Sequence, residues 1–331
     1  LNQKTSLLIR NVQDEEAFRS MQSIVSQGVR ALMAVPLQTD KEVIGLIYVD
    51  TSHWLREFSG DDLNLLTVMA NVAAIRIERE RLAELEHTRR RMESDLQQAA
   101  EIQRQFLPAR APQVPGLELA GFNASCRTVG GDYYDFLNYP DGRVAVMVGD
   151  VCGKGMSAAL LMMSLQARVQ VLAAEPNSPA LVVDRLNHVL TAAALEARFI
   201  SFFFALFDGE SGELIYSNAG HNPPLLIRAS GEVEWLSGGG PVLGIVPAAR
   251  YEEVRCTFKS GDVAILYSDG VTDATNARQE DFGEARISEV LQRVHHDSAD
   301  AILSALITAV KDWAAGTPAP DDITLVVVRK T

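Results

Sequence analysis

The sequence predicts an α+β protein built around a β-sandwich with helices on the outer faces of its sheets. Four helical patterns, Met156–Ala174, Pro179–Leu195, Ala285–His295 and Ala299–Ala314, interrupt a series of short apolar stretches. Short hairpin links and paired helices of this kind are typical of layered sheets covered by helices. The apolar stretches are expected to be strands, at Leu117–Ser125, Asp132–Asn138, Arg143–Val148, Ile200–Phe207, Glu213–Ala219, Leu225–Arg228, Val254–Phe258, Val263–Ser268 and Ile323–Arg329.

The composition limits the class of protein. The length of 331 residues is typical of two domains, and 47% hydrophobic residues allow an ample core. The net charge of −13 argues against a nucleic-acid partner. Cys126, Cys152 and Cys256 lack metal-ligand spacing, so we expect reduced core residues and a cytoplasmic protein. No apolar run approaches the roughly 20 residues of a membrane span, and the start at Leu1 suggests a fragment of a longer chain.

Residues 1–78 are expected to form one module. Val43–Asp50 has a strand pattern, and Ser59 followed by Asp61 and Asp62 is a helix start with an acidic first turn. Together these stretches resemble the second half of a GAF domain, a small-ligand sensor and dimerisation module. The resemblance implies either a sensor or a partial domain that only packs or dimerises.

Residues 79–107 are expected to be a helical linker. Side chains at alternating spacings of three and four define a seam, which consists of Ile75, Glu78, Leu82, Leu85, Arg89, Met92, Leu96, Ala99, Gln103 and Phe106. Such a repeat predicts a parallel coiled-coil homodimer. The alternative is an amphipathic helix that packs on its own domain. Pro108, Pro112 and Pro115 then end the helix and open a second domain, 108–331.

Three carboxylates of this domain stand at strand ends. Asp150 follows the apolar run Val144–Val148, Asp269 follows Val263–Ser268, and the pair Asp321–Asp322 precedes Ile323. A carboxylate where a buried strand ends is held rigidly, and oxygen ligands suit hard divalent cations. The sequence therefore predicts an oxygen-ligand metal site assembled from three distant segments.

Four motifs carry a resemblance to a family, and they are Val129–Asp135, Gly149–Gly155, Ser217–Pro224 and Ser268–Asp273 with Asp321–Thr324. In this order they resemble the SpoIIE-like branch of the PPM metal-dependent serine/threonine phosphatases. The resemblance implies two Mn²⁺ or Mg²⁺ ions about 4 Å apart that activate a water for in-line attack on a phosphoserine or phosphothreonine monoester. It also implies a phosphorylated protein substrate of the anti-sigma-factor antagonist type, as in bacterial partner-switching pathways.

The resemblance also implies roles for individual residues. Asp150, helped by the Val151 carbonyl, would bridge the two ions, while Asp269 and Asp321, the latter preferred over Asp322, would hold the first. Asp132 and Asp135 would bind metal-coordinated waters.

Two further roles each have a non-catalytic alternative. His221 is a candidate proton donor to the leaving oxygen, or a structural hydrogen-bond partner. Arg127 is a candidate for binding the substrate phosphate, or a plain surface arginine.

Two competing functions stay open at the level of sequence. Gly130-Gly131-Asp132 superficially matches the GGDEF signature of nucleotide cyclases, although Tyr133 and Tyr134 replace its Glu and Phe. A catalytically inactive signalling scaffold is the third reading. Regulation is expected to run from the linker to the helix pair Met156–Ala174 and Pro179–Leu195, since this pair follows Asp150 directly.

Overall fold

The computed structural model describes residues 5–19, 21–53, 57–193 and 198–331. The chain divides into two compact units, Leu1–Ser94 and Asp95–Thr331. One continuous helix, α3 (Gly60–Gln105), begins in the first unit and ends in the second. Within the described ranges, no helix combines the length and apolar character needed to cross a membrane.

The first unit contains a three-stranded antiparallel sheet in the order β1-β2-β3. Its elements before α3 are β1 (Leu7–Ile9), a 3₁₀ turn (Val12–Asp14), α1 (Glu16–Arg19), α2 (Gln22–Gln27), β2 (Ala31–Gln38) and β3 (Val43–Thr51). Met33 and Val35 of β2 pack against Leu66 and Ala70 of α3. The expected strand at Val43–Asp50 is therefore confirmed and extends by one residue.

The start of α3 follows from a reciprocal cap. The Ser59 N–H donates to Asp62 Oδ2 at 2.8 Å, and the Asp62 N–H donates to Ser59 Oγ at 3.2 Å. These contacts satisfy main-chain donors that have no partner in the first turn of a helix.

The linker helix exposes part of the predicted coiled-coil seam and buries another part. Ile75, Leu82, Leu85 and Met92 are each more than half exposed. In contrast, Gln103 is only 5% exposed, because it contacts its own domain. The seam predicted through Gln103 is thus wrong at that position, which is not available to a partner helix.

The second unit is a sandwich of two five-stranded antiparallel sheets. The first sheet has the order β11-β8-β7-β6-β5 and consists of β5 (Tyr133–Asn138), β6 (Arg143–Val151), β7 (Ile200–Asp208), β8 (Glu213–Ala219) and β11 (Val254–Thr257). The second has the order β10-β9-β12-β13-β4 and consists of β4 (Leu117–Ala124), β9 (Leu225–Ile227), β10 (Val233–Trp235), β12 (Val263–Tyr267) and β13 (Ile323–Lys330).

Helices cover both outer faces of the sandwich, which gives four layers. The helices α4 (Met156–Leu172) and α5 (Pro179–Ala192) share a core with the first sheet. The helices α7 (Gly283–Val294) and α8 (Ala299–Ala314) share a core with the second. The expected α+β sandwich is therefore observed, although the end of the predicted helix Pro179–Leu195 lies outside the described residues.

Side-chain alternation decides which strand residues enter the sandwich. Val144, Val146 and Val148 of β6 belong to the inner core, whereas Ala145 and Met147 face α4. Since successive strand residues point to opposite faces, Asp150 continues the inward series to the end of β6. The sequence pattern thus directs an acidic side chain to the rim of the inner core.

Candidate metal centre

Two loops approach each other closely at the end of the second sheet. Asp269 begins α6 (Asp269–Thr272), directly after β12. The Ser268 hydroxyl donates to the Asp322 carbonyl at 3.1 Å and accepts from the Thr324 N–H at 2.9 Å. A Cβ atom at Gly270 would collide with the Asp322 carbonyl, so glycine is required there. These contacts bring Asp269 beside the Asp321–Asp322 pair.

The two neighbouring aspartates of that pair have different surroundings. Asp322 is 5% exposed, and its carboxylate accepts main-chain hydrogen bonds from Cys126 and Gly131, both at 2.7 Å. Asp321 is partly exposed and contacts the Lys154 ammonium at 2.7 Å. The Asp322 carboxylate therefore holds a loop, whereas the Asp321 carboxylate faces the other acids.

Asp150 brings the first sheet into the same site. Burial, together with the negative charges of Asp269 and Asp321, raises the pKa of Asp150 to about 7. A hydrogen bond with Asp132 acts in the opposite direction. Asp150 therefore lies within hydrogen-bond reach of Asp132 and within electrostatic range of Asp269 and Asp321. The structure thus brings together Asp132, Asp150, Asp269 and Asp321, from four separate segments.

Asp132 joins the two sheets at the centre of this group. Its carboxylate is buried and accepts a hydrogen bond from the Thr324 hydroxyl at 2.5 Å. Burial, together with the charge of Asp150, raises the Asp132 pKa well above its usual value. Val151 contributes a main-chain carbonyl that faces Gly131, where a Cβ atom would lie only 2.9 Å from that oxygen. The Val151 oxygen is therefore at the same rim.

The donor set fits a divalent cation. In the part of the chain that the structure describes, one group of three potential ligand atoms lies within 4.8 Å of one another, namely Cys126, Asp321 and Asp322. Asp322 already accepts two main-chain hydrogen bonds, and burial with the nearby carboxylates raises the thiol pKa of Cys126 to about 11. The wider group of Asp132, Asp150, Asp269 and Asp321 supplies carboxylate oxygens, which are the ligands that hard divalent cations bind.

Asp135 is not part of this group. Its carboxylate accepts hydrogen bonds from the Tyr133 hydroxyl at 2.9 Å and from Gln170 at 2.8 Å. Tyr133 belongs to the core beneath α4, whereas Tyr134 belongs to the inner core, so residue 135 points toward α4. The proposed role of Asp135 in binding metal-coordinated water therefore has no support in the geometry.

His221 is a buried link between the sheets. Its Nδ1 is 2.8 Å from the Ser201 hydroxyl and its Nε2 is 3.1 Å from the Tyr267 carbonyl. Burial lowers the His221 pKa to about 4, which keeps the ring neutral near pH 7. Both ring nitrogens thus have hydrogen-bond partners, which favours the structural alternative for His221.

Two cationic side chains lie at the rim. Arg127 is exposed and lines a cavity of about 220 Å³ together with Asp132 and Gln103. Lys154, for which the sequence predicted no role, pairs with Asp321 and also donates to the Pro320 carbonyl. The sequence feature that could have identified Lys154 is its place between Gly153 and Gly155, four residues after Asp150. Both glycines have positive φ in the structure. Arg127 and Lys154 together give the site a positive edge.

Comparison with known proteins identifies the family. The family model described as Stage II sporulation protein E (SpoIIE) matches residues 140–331, which is more than half of the chain. The chain belongs to the SpoIIE family. The GAF domain model matches residues 1–77, so a GAF domain precedes the SpoIIE-family region.

The relatives agree with this assignment. Protein IcfG of Synechocystis is 28% identical over 263 residues, covering 71% of this chain and 41% of IcfG. Phosphoserine phosphatase RsbU of Bacillus subtilis is 28% identical over 183 residues, covering 55% of this chain and 54% of RsbU. The chain thus spans about half the length of the curated relatives it matches.

A solved structure shows the fold. The PP2C domain of SiaA from Pseudomonas aeruginosa superposes with a TM-score of 0.67 at 21% identity, covering 74% of this chain and 99% of that domain. The SpoIIE-family region therefore has a PP2C fold, which confirms the predicted fold class. Membership of this family leaves no support for the nucleotide cyclase alternative.

Proposed function

We propose that this chain is a metal-dependent protein serine/threonine phosphatase, with Asp150, Asp269 and Asp321 holding two Mn²⁺ or Mg²⁺ ions and Asp132 binding their coordinated waters. The observation that carries the proposal is the convergence of these four acids at one rim of the sandwich, where Asp132 accepts a hydrogen bond from Thr324 of β13 and Gly270 lies against the Asp322 main chain. Membership of the SpoIIE family supports it, as does the name phosphoserine phosphatase borne by RsbU.

The individual residues have separable tasks. Asp150 and the Val151 carbonyl lie between the two sheets, which suits a bridging position, and Asp269 and Asp321 lie on the side of the second sheet. Divalent cations, when bound, supply the positive charge that activates water and stabilises a phosphoryl group during displacement. The Thr324 hydroxyl orients the Asp132 carboxylate by donating a hydrogen bond to it, and Ser268 holds Thr324 by accepting from its N–H.

Arg127 and Lys154 are proposed to attract the substrate phosphate. The Arg127 guanidinium lies beside Gly155, in the same turn as Lys154. Arginine binds phosphate through paired donors, and lysine acts as a compact positive charge. The positive edge would therefore place a phosphoserine next to the carboxylate group.

The proposed substrate is a phosphorylated anti-sigma-factor antagonist. The support is similarity to RsbU over 183 residues, 55% of this chain, together with an overall net charge of −13 that makes nucleic acid an unsuitable partner. A monoester on a protein surface suits an open rim of the sandwich better than an enclosed pocket would. The substrate is proposed as phosphoserine or phosphothreonine.

The proposed domains are a GAF module at 1–78, a linker at 79–107 and a phosphatase domain at 108–331. The matched family region begins at residue 140, but β4 pairs with β13 along its whole length, and Asp132 precedes β5. Both features lie before residue 140. A functional phosphatase domain must therefore include them.

The linker is proposed to form a parallel homodimer through its exposed apolar seam. Leu82, Leu85 and Met92 are 55%, 59% and 61% exposed, at spacings of three and seven residues on one helical face. A helix with an exposed seam of this spacing gains apolar burial by pairing with a second copy. The contacts of Gln103 restrict the paired part of the seam to positions before it.

Phosphatase assays with defined metals test the proposed function. The chain should hydrolyse p-nitrophenyl phosphate and a phosphorylated anti-sigma-factor antagonist with Mn²⁺ or Mg²⁺, and EDTA should abolish turnover. Asp150→Asn should lower the rate at least about a hundredfold, because the metal charge is a large part of transition-state stabilisation. The matched control is Asp300→Asn, an exposed aspartate in the first turn of α8.

Two results would contradict the proposal. One is metal-independent turnover that survives Asp150→Asn, which would place the chemistry elsewhere. The other is substrate binding without any turnover under every metal condition, which would favour the scaffold alternative.

A further inference from the structure

Gln103, near the end of α3, binds the main chain of one distant residue through both atoms of its side-chain amide. Nε2 donates to the Gly130 carbonyl at 2.7 Å, and Oε1 accepts from the Gly130 N–H at 3.1 Å. Gly130 belongs to no strand, so no sheet partner satisfies these two groups. Because a buried main-chain group needs a hydrogen-bond partner, the Gln103 side chain supplies the two hydrogen bonds that a neighbouring strand supplies within a sheet.

The segment that Gln103 holds leads directly to the carboxylate group. Gly131 donates its N–H to Asp322, and the Asp132 carboxylate accepts from Thr324. The segment 130–132 is thus fixed by α3 on one side and by β13 and the residues before it on the other. If the α3 contact were lost, the segment 130–132 would be held only by its contacts with Asp322 and Thr324.

Small side chains allow the end of α3 to approach this segment closely. Ala100 of α3, Val129 and Ala159 of α4 form one buried cluster, and Ala99 packs against it. The end of α3 therefore contacts both the residue before Gly130 and the first turn of α4. This contact connects α3 to the carboxylate group more directly than the route expected from the sequence, which runs through the α4–α5 pair.

We propose that Gln103 is a positioning residue that couples the linker helix to cation binding by setting the place of Asp132. The inference rests on the proposed function, since it assigns regulation to that same site. When α3 is seated, the amide satisfies Gly130 and Asp132 points into the carboxylate group. When α3 shifts, the freed N–H and C=O of Gly130 must find water, and the 130–132 segment moves with them.

The test uses the full chain with two variants at Gln103 and one matched control. Gln103→Met keeps the length of the side chain and removes both hydrogen bonds, whereas Gln103→Glu keeps an acceptor for the Gly130 N–H and loses the donor. Gln105→Met is the control, because Gln105 is an exposed glutamine on the last turn of the same helix. Mn²⁺ binding is measured directly from the electron paramagnetic resonance signal of free Mn²⁺, and unfolding is followed in EDTA.

We expect Gln103→Met to weaken Mn²⁺ binding about tenfold or more, which corresponds to the loss of buried hydrogen bonds at the site. Gln103→Glu should weaken it similarly, and Gln105→Met should match the wild type. A Gln103→Met protein that unfolds at a lower temperature but binds Mn²⁺ like the wild type would overturn the inference, since Gln103 would then only stabilise the fold. If Gln103→Met does not fold, Gln103→Glu decides by the same comparison.

The outcomes separate this inference from the proposed function. Mn²⁺ binding that depends on Gln103 in a chain without turnover of p-nitrophenyl phosphate would refute the phosphatase function and leave the role of Gln103 intact. Metal-dependent turnover together with unchanged Mn²⁺ binding in Gln103→Met would refute the role of Gln103 and leave the phosphatase function intact.

Discussion

The main-chain N–H of Gly131 donates a hydrogen bond of 2.7 Å to the Asp322 carboxylate, across 191 positions of sequence. A second N–H, from Cys126, donates to the other oxygen of the same carboxylate. Asp322 therefore fastens the loop that carries Asp132. Its neighbour Asp321 has a different task, because its side chain faces Lys154 and the other acids.

This division predicts opposite behaviour for two adjacent substitutions. Asp321→Asn should weaken Mn²⁺ binding while leaving the stability of the metal-free chain nearly unchanged or higher, since one negative charge leaves a repulsive group. Asp322→Asn should lower the free energy of unfolding by about 1–3 kcal/mol, because an amide cannot accept both main-chain N–H groups. Calorimetry in EDTA and Mn²⁺ titration measure the two effects, and equal behaviour of the two variants would contradict the assignment.

The raised pKa of Asp150 predicts that the metal-free chain loses stability as pH rises. The folded-state pKa of about 7 lies above the usual 3.8. The contribution of this group is therefore fully present below about pH 3.8 and is lost as pH rises through 7. Each pKa unit is worth about 1.4 kcal/mol, so the loss is about 4 kcal/mol by pH 8.

Thermal unfolding in EDTA between pH 5 and pH 8.5 checks this prediction. Asp150→Asn should flatten the pH dependence relative to the wild type and be the more stable chain at pH 8. Saturating Mn²⁺ should restore wild-type stability at pH 8 by binding the folded state. An identical pH dependence of unfolding in both chains would show that Asp150 ionises normally.

Strand patterns and strand-end acids were sufficient to predict the architecture and most of the carboxylate group. The alternation along β6 directs Asp150 inward, and the buried runs of β12 and β13 place Asp269 and Asp321 at strand ends. These features are local, so a single sequence shows them. That they meet at one rim depends on sheet order, which local patterns do not encode.

The sequence did not predict the role of a side chain where the same residue type can serve two purposes. Asp135 lies in the same motif as Asp132, but its side chain is on the opposite face and accepts a hydrogen bond from Gln170. Gln103 fits a heptad seam by spacing alone, whereas the structure gives it a main-chain partner at Gly130. Spacing predicts which face of a helix a residue occupies, and it does not predict what covers that face.

His221 is predicted to stabilise the sandwich without donating a proton in the reaction. His221→Ala removes hydrogen bonds to Ser201 and to the Tyr267 carbonyl, and it should lower the free energy of unfolding by about 1–3 kcal/mol. Since the folded-state pKa is about 4, the stability that neutral His221 provides is present above pH 6.5 and is lost as pH falls toward 4.

The pH dependence of the rate gives the decisive comparison for His221. The profile of turnover with Mn²⁺ should keep the same limbs in His221→Ala as in the wild type. Loss of one limb in the variant would return His221 to the list of proton donors. Unfolding measured under the same conditions shows whether the variant is folded.

Arg127 and Lys154 are predicted to act on substrate and metal differently. Arg127→Ala should raise KM for a phosphoserine peptide about tenfold with unchanged Mn²⁺ binding, because a charged hydrogen bond to phosphate is lost. Lys154→Met should instead tighten Mn²⁺ binding, since the ammonium that pairs with Asp321 is removed. Arg185→Ala, an exposed arginine on α5, is the control. Equal effects of Arg127→Ala and Arg185→Ala on KM would contradict the role of Arg127.

The exposed seam of α3 predicts that one charge disrupts the proposed homodimer. Leu85 is 59% exposed, and pairing would bury it against the same residue of a second copy. Leu85→Glu would then place two carboxylates at one seam position and shift the chain toward monomer in sedimentation velocity. Val171→Glu, at a 74% exposed position of α4, should leave the association state unchanged. A wild-type chain that is monomeric at every concentration tested would refute the seam, and a dimer that persists in Leu85→Glu would place the interface elsewhere.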